Sequence, residues 1–319
     1  ENEDYRFGLQ KELFNEGINP IPHRDYENNK MEETWVFPGI IATYKNKKTT
    51  ISLINKSLMS NPENVINEAI EKLEYHFVNA IRDLTTKKKT IGIIDGHGET
   101  TSNSINGFRD LISINYNIKE IDGINGQLEA LKDIDCIIIN NPTSYVNEKD
   151  KFIIDQFIMR GGRSIWFISG SNASMDSLET QSQSIALPNS ETNLNDMLFK
   201  FGIRVNYDII QDLQAAPIPI ITHYLEDKPQ WTFFPWTFFP ILSSQNNHLI
   251  NQHINPVKSQ FPSSIDTLKN KIRKTILLQS SDFSKKTSTP ALINLEQLKE
   301  KPQQKIYKDG SQITAVLLE

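Results

Sequence analysis

The chain of 319 residues has little cysteine, no long apolar run and no excess of basic charge. Its one cysteine, Cys136, excludes an intrachain disulfide framework and a multi-cysteine metal site. Set in Asp135-Cys-Ile-Ile-Ile139, it reads as a small apolar side chain in a strand. No stretch approaches the ~20 apolar residues of a membrane helix; the longest, Ile134 to Ile139 and Ile165 to Ile168, are of strand length. A net charge of -5 and a pI near 5.8 argue against a nucleic-acid-binding face. The basic runs at Lys45 to Lys48 and Lys87 to Lys89 lie between apolar segments and read as solvated turns. No P-loop, protein-kinase set or Gly-x-Ser-x-Gly elbow is present, and the six histidines show no His-x-x-x-His spacing. A signal peptide is missing too: the chain opens Glu-Asn-Glu-Asp and stops within a strand-like Ala315-Val-Leu-Leu-Glu319. It reads as a soluble region excised from a longer protein.

What is present suits a globular α/β protein of two domains, with 38% hydrophobic and 23% charged residues. An amphipathic helix is expected over Tyr5 to Asn15, stopped by Gly17 and Pro20. Extended segments Thr34 to Tyr44 and Thr49 to Ile54 suggest a hairpin. Ser60-Asn-Pro-Glu63 offers a capping box, and apolar residues from Val65 to Leu84 keep helical spacing, which predicts one long helix over 62–85. Beyond Lys89 strands and helices alternate: Thr90 to Asp95, Ser104 to Ile112, a strand near Ile118, Gln127 to Leu131, Cys136 to Asn140, Asn147 to Met159, and Ser164 to Ser169. That order implies βαβ crossovers and a Rossmann-like, mostly parallel sheet. A helix at Asn193 to Phe201, capped by Asn193 or Asn195 and ended by Gly202, follows. Late strands are expected at Thr275 to Gln279 and Gln312 to Leu318. The expected domains are an α+β lobe over 1–86 and a Rossmann-like domain over 87–319, with an irregular insertion near 209–265 rich in Pro, Gln and Asn.

Two motifs stand out. In Ile91-Gly-Ile-Ile-Asp-Gly-His-Gly-Glu99 an apolar strand runs into a double-glycine turn, where ligands of open α/β sheets dock. As a dinucleotide fingerprint it fails: Thr101 replaces the third small residue, and Glu99 puts negative charge where pyrophosphate would sit. As a general base, His97 lacks a motif-supplied nucleophile, so turn geometry with backbone bonding is the better reading. An amidotransferase needs a cysteine on a strand-to-helix elbow, and Cys136 starts a strand instead. The second motif is Trp231-Thr-Phe-Phe-Pro235, repeated at once as Trp236-Thr-Phe-Phe-Pro240. Its six aromatics suit a docking or sugar-stacking surface, or rings packed on their own domain.

Short matches spread in order over the chain carry a family resemblance. They include Trp35-Val-Phe-Pro-Gly39, Leu73-Glu-Tyr75, Gly96-His-Gly-Glu99, Asp155-Gln-Phe-Ile158, Gly161-Gly-Arg-Ser-Ile-Trp166, Met175-Asp-Ser-Leu178 and Asn193-Leu-Asn-Asp-Met197. Phe201-Gly-Ile-Arg204, Ile265-Asp-Thr-Leu268 and Lys274-Thr-Ile-Leu-Leu-Gln-Ser-Ser281 complete them. With these the sequence resembles the GldG family, gliding-motility auxiliary components of Bacteroidetes ABC transporters. The resemblance implies a membrane-anchored region on the periplasmic side of the inner membrane, working with an ABC permease and ATPase. It also implies a non-catalytic amidotransferase-like domain after a thioredoxin-like, here incomplete, lobe. No cofactor, metal or catalytic residue is carried over.

The expected function is therefore protein contact within a transporter complex, with no enzymatic activity and no nucleic-acid partner. The alternative is a receptor domain for a small molecule or glycan. In a parallel sheet the strand-end loops share one edge, which makes Gly96, His97, Gly98, Glu99, Asn141, Thr143, Ser169 and Ser171 the candidate surface, together with Trp231 and Trp236.

Overall fold

The computed structural model describes residues 3–27, 30–54, 62–99, 103–179, 181–225, 228–252, 254–299 and 301–319. The chain forms two compact units, Glu1–Thr90 with Gly107–Asn117, and Ile91–Asn106 with Ile118–Glu319.

In the first unit, α1 (Glu3–Asn15) ends as its sequence implies. Gly17 takes φ +86, its N–H reaches Phe14 O and the Ile18 N–H reaches Leu13 O, each at 3.0 Å. This pair of bonds satisfies carbonyls that the helix leaves open. Ile18 is then buried against Gly39, where any Cβ would collide with it. β1 (Ile21–Glu27) pairs antiparallel with β2 (Lys30–Val36), and β3 (Gly39–Tyr44) with β4 (Lys47–Ser52). The expected strand Thr34 to Tyr44 is thus divided at Phe37-Pro38, because proline has no N–H to continue a ladder. Among the described residues the result is two separate hairpins rather than one thioredoxin-like sheet. The long helix is also divided, into α2 (Pro62–Glu71) and α3 (Leu73–Thr85). Lys72 has ψ -4 rather than about -42°, which opens the helix there although no Gly or Pro marks the place. α3 buries Ala80 and Leu84 and packs on β3 and β4. Of the expected capping box, Ser60 and Asn61 lie outside the described residues.

After β5 (Thr90–Asp95), α4 (Asn103–Ser113) is divided between the units at Asn106, and the second unit is built on β5, β6 (Asn117–Asp122), β7 (Cys136–Asn140), α5 (Glu148–Met159) and β8 (Arg163–Phe167). The strands form one four-stranded sheet in the order β6-β5-β7-β8. Its pairings are parallel: β7 runs in register with β5 from Ile91↔Cys136 to Ile94↔Ile139, and β8 follows β7. β6 runs the same way, with the Gly123 N–H on Asp95 O at 2.8 Å. Ile94, Ile137, Ile139, Ile121, Ile153 and Ile154 make a core between the sheet and α5. Each fully buried isoleucine stabilises the fold by about 1.5–3 kcal/mol relative to an exposed one. The double glycine closes α5: Gly161 at φ +91 bonds Ile158 O and the Gly162 N–H bonds Phe157 O.

Beyond residue 170 the structure departs from a mostly parallel sheet. After α6 (Asp176–Glu179), β9 (Gln183–Ala186) pairs with β18 (Ala291–Asn294), both antiparallel like every later pairing described. α7 (Asn195–Phe201) leads to β10 (Ile203–Val205), which pairs with β15 (Ile265–Thr267). β11 (Asp208–Asp212) pairs with β17 (Ser284–Ser288), and β16 (Lys274–Gln279) with β19 (Ile313–Leu318). Among the described residues no α-helix follows α7, and parallel neighbours need a crossover connection that is usually helical. Residues 209–265, expected to be irregular, hold the longest hairpin described, β12 (Ala215–Leu225) with β13 (Lys228–Leu242), plus β14 (Val257–Lys258). Two of its prolines, Pro217 and Pro235, pair with each other beside a register break, where missing donors disturb the ladder least. Gly202 does end α7 at φ +87, but neither Asn193 nor Asn195 caps it: the N-cap is Leu194. The Asn193 and Asn195 amides instead hold Val146 O and the Tyr207 hydroxyl.

Candidate functional site

The parallel sheet brings the carboxyl ends of β5, β7 and β8 side by side. Gly96 and Gly98 take φ +117 and +72, values that L side chains rarely adopt. Gly96 lies against the Gly123 backbone, and a Cβ on Gly98 would collide with the Thr143 and Ser144 hydroxyls. The turn is tied to the next loop through His97 O, which accepts the Thr143 N–H at 3.0 Å and the Ser144 N–H at 2.8 Å. The Thr143 hydroxyl also donates to Gly98 O at 2.8 Å. Asn141, at φ +50, accepts the Ser169 N–H on its side-chain oxygen at 3.1 Å. Ser169 Oγ donates to Ser171 O at 2.7 Å, and the Asn189 amide reaches both Pro142 O and Ser169 O at 3.3 Å. Gly96, His97, Gly98, Glu99, Asn141, Thr143, Ser169 and Ser171 are therefore linked along one edge, but His97, Glu99 and Ser171 are buried, which corrects their assignment to an exposed surface. Thr101, weighed as a fingerprint position, lies outside the described residues.

His97 and Glu99 point inward. His97 is 6% and Glu99 8% exposed. Glu99 Oε2 accepts the His97 N–H at 2.6 Å, and Oε1 lies 3.2 Å from Nδ1. Asp150 Oδ2 lies 3.1 Å from Nε2 on the other side of the ring. Asp150 is itself held by Gly126 N–H at 2.7 Å and the Asn147 amide at 2.8 Å, while Asn147 caps α5 through the Asp150 N–H. The bond to Glu99 raises the His97 pKa above its ordinary 6.5 against the opposing effect of burial, and Asp150 adds to the rise. Burial pushes Glu99 upward, but the His97 ring and backbone N–H groups together hold it below its ordinary 4.5. An imidazolium between two carboxylates is thus a fastening that ties the glycine turn to the first turn of α5. Both ring nitrogens are engaged, which leaves His97 unsuited to act as a general base.

Asp150 was missed in the sequence because it lies 53 positions from His97. A signal was available: with Ile153 and Ile154 at i+3 and i+4, Asp150 falls on the inward face of α5. Lys151 is another buried charge of that helix, bonded to Asp196 at 2.8 Å and Glu148 at 2.9 Å. Among the described residues no group of three or more His, Cys, Asp or Glu is placed to hold a metal ion. Burial raises the Cys136 thiol pKa, which keeps it protonated and unreactive at neutral pH.

The two identical pentapeptides have opposite environments. Trp231 and Phe233 are 55% and 66% exposed on the hairpin arm, whereas Trp236, Phe238 and Phe239 are buried. The second copy lies at the register break between Ala215 and Pro217, where the strand is covered on both faces, since Phe238 and its neighbour Phe239 are both buried. The second copy packs with Phe261, the Trp236 ring lying 5.6 Å and Phe239 5.4 Å from it. Trp236 is thus core, which corrects its assignment to a docking surface. Trp231 remains outside and belongs to no strand-end loop.

Solvent meets the strand-end edge at an open depression of about 560 Å³ lined by Thr143, Ser144, Tyr145, Ser190, Glu191 and Asn193.

Residues 88–319 match the family model described as an ABC-type uncharacterized transport system. No curated protein matches the chain. Among solved structures, the mmIFT52 N-terminal domain aligns at a TM-score of 0.43 and 14% identity, over 61% of this chain and 75% of that one. A ThuA-like protein from Bacteroides uniformis aligns at 0.36 and 13% identity, over 61% and 68%.

Proposed function

This chain belongs to the family of ABC-type uncharacterized transport systems, as an auxiliary component, and we propose that it serves its transporter through protein contacts rather than catalysis. In this reading it is the extracytoplasmic part of a GldG-like protein, held at the periplasmic side of the inner membrane and supporting gliding motility or secretion. Among the described residues no helix is long and apolar enough to cross a membrane. The permease and ATPase of the transporter are the partners, and the strand-end edge is the docking surface.

The observation that carries the reading is the edge itself. Its buried charges satisfy one another, while Thr143, Ser144 and Tyr145 stand exposed on a shallow rim. An open polar rim on a rigid base suits a protein partner, whereas a small-molecule site encloses most of its ligand. A crosslinking pull-down of the full-length protein from membranes tests this. Recovery of a permease and an ATPase supports it, and recovery of neither defeats it.

A further inference from the structure

On a chain whose net charge is -5, one loop of the second unit gathers positive charge. Lys269, Lys271, Arg273 and Lys274 fall within six residues, and the first three are exposed. The loop is braced from within. The Asn270 amide reaches Lys200 O at 3.3 Å, and Asn270 Oδ1 accepts the Ile272 N–H at 3.1 Å. Lys200, in the last turn of α7, thus adds a fifth cation. The carboxylates around these cations are few. Glu319 lies 3.6 Å from Arg273 Nε, Asp266 is taken by Arg204, and Asp196, one turn before Lys200, is taken by Lys151. Between Ser243 and Ser281 the sequence holds no acid besides Asp266. Among the described residues no carboxylate is bonded to Lys200, Lys269, Lys271 or Lys274.

A hydrophobic tip stands beside this loop. Ser243 pairs antiparallel with Gln279, so the chain runs along β16 towards its start at Lys274. There the Asn246 amide bonds Ile276 O, and the Asn251 amide bonds Leu277 O at 2.9 Å. The turn between them is closed by the Asn251 N–H on His248 O at 2.8 Å and the Ile250 N–H on His248 Nδ1 at 3.2 Å. It lifts Leu249 to 83% and Ile250 to 47% exposure. At ~3.4 Å per strand residue, its two anchor points lie about 7–10 Å from Lys274.

Cations and an aliphatic tip side by side say what fits. Lys and Arg attract anionic headgroups, and an apolar side chain adds binding by entering the acyl boundary. A protruding tip suits a fluid acceptor, whereas a protein partner would have to supply a pocket shaped for it. A nucleic-acid strand needs rings on which its bases stack, and Leu249 and Ile250 offer none. We propose that the 269–274 loop and the Leu249-Ile250 tip form a peripheral contact for an anionic lipid surface, separate from the strand-end edge.

Flotation with vesicles tests the proposal, using phosphatidylcholine alone and phosphatidylcholine mixed with phosphatidylglycerol. The chain binds the anionic vesicles and not the neutral ones, and leaves them as salt rises. Lys269→Gln with Lys271→Gln weakens binding at least about tenfold, through the loss of two surface cations. Leu249→Ser weakens it at low and high salt alike. Lys305→Gln with Lys308→Gln removes the same charge beyond the opposite end of the β16–β19 ladder and leaves binding unchanged. All five side chains are exposed, so dichroism and the unfolding midpoint stay those of the parent. A chain that ignores anionic vesicles overturns the proposal, as does binding indifferent to Leu249→Ser or weakened equally by both lysine pairs. Capture on immobilised polyglutamate without capture on vesicles places an acidic protein there instead and also overturns it.

Discussion

Removing His97 leaves two buried carboxylates without their shared cation. In His97→Ala, Glu99 keeps the backbone N–H of residue 97, and Asp150 keeps Gly126 and Asn147. Breaking a buried ion pair by deleting one partner costs about 3–5 kcal/mol. The surviving donors put this case near the lower end, about 3 kcal/mol. Urea unfolding near pH 6 reads the loss as a lower midpoint at unchanged slope. The raised His97 pKa fixes the pH dependence: its contribution is complete below the unfolded value of 6.5 and is lost as pH climbs through the higher folded value. Glu99 behaves oppositely, contributing above 4.5 and losing its contribution as pH falls through its lowered folded value. The gap between parent and variant is therefore widest between 4.5 and 6.5 and narrows at higher pH. A loss below about 1 kcal/mol near pH 6, the scale of an ordinary surface pair, would refute the reasoning. So would a gap that widens as pH rises above 6.5.

The repeated pentapeptide gives a matched comparison: Trp236→Ala removes a buried ring and costs about 3–5 kcal/mol, whereas Trp231→Ala stays within about 0.5 kcal/mol in the same urea titration. Equal costs would contradict their opposite placement. Gly98→Ala combines a positive φ with a collision at Thr143 and Ser144, and lowers stability by more than about 1 kcal/mol, read by calorimetry. The Lys151 pKa is raised, with Asp196 and Glu148 outweighing burial, so this lysine's contribution holds below 10.5 and fades above it. Lys151→Met should flatten the loss of stability that the parent shows at that alkaline end.

The parallel part of the second unit was legible because its physics is local and repetitive. Ile91–Ile94 and Ile137–Ile139 are continuous apolar runs, as strands covered on both faces require, and Gly161-Gly162 announces the end of α5. The antiparallel part was not. Pro217, Pro219, Pro229, Pro235 and Pro240 made β12 and β13 look irregular, and only the partner strand reveals that the pairings of Pro217, Pro235 and Pro240 fall beside a register break. The Lys72 break had no residue signal, since its cause is a single backbone angle. At the site, the glycine turn and the strand-end loops could be placed from order alone. The role of His97 could not, because its second carboxylate comes from α5, far along the chain. Nor could period-two reasoning show which copy of Trp-Thr-Phe-Phe-Pro is core until the strand's register was fixed.

The central claim is that the strand-end edge meets the transporter. A photoactivatable amino acid placed at Thr143, exposed on that edge and bonded into it through Gly98 and its own N–H, tests it in intact membranes of cells carrying the full-length protein. The account predicts a covalent adduct with the permease at this position. Illumination that yields no adduct with any transporter subunit, while the protein is present and folded, would contradict it.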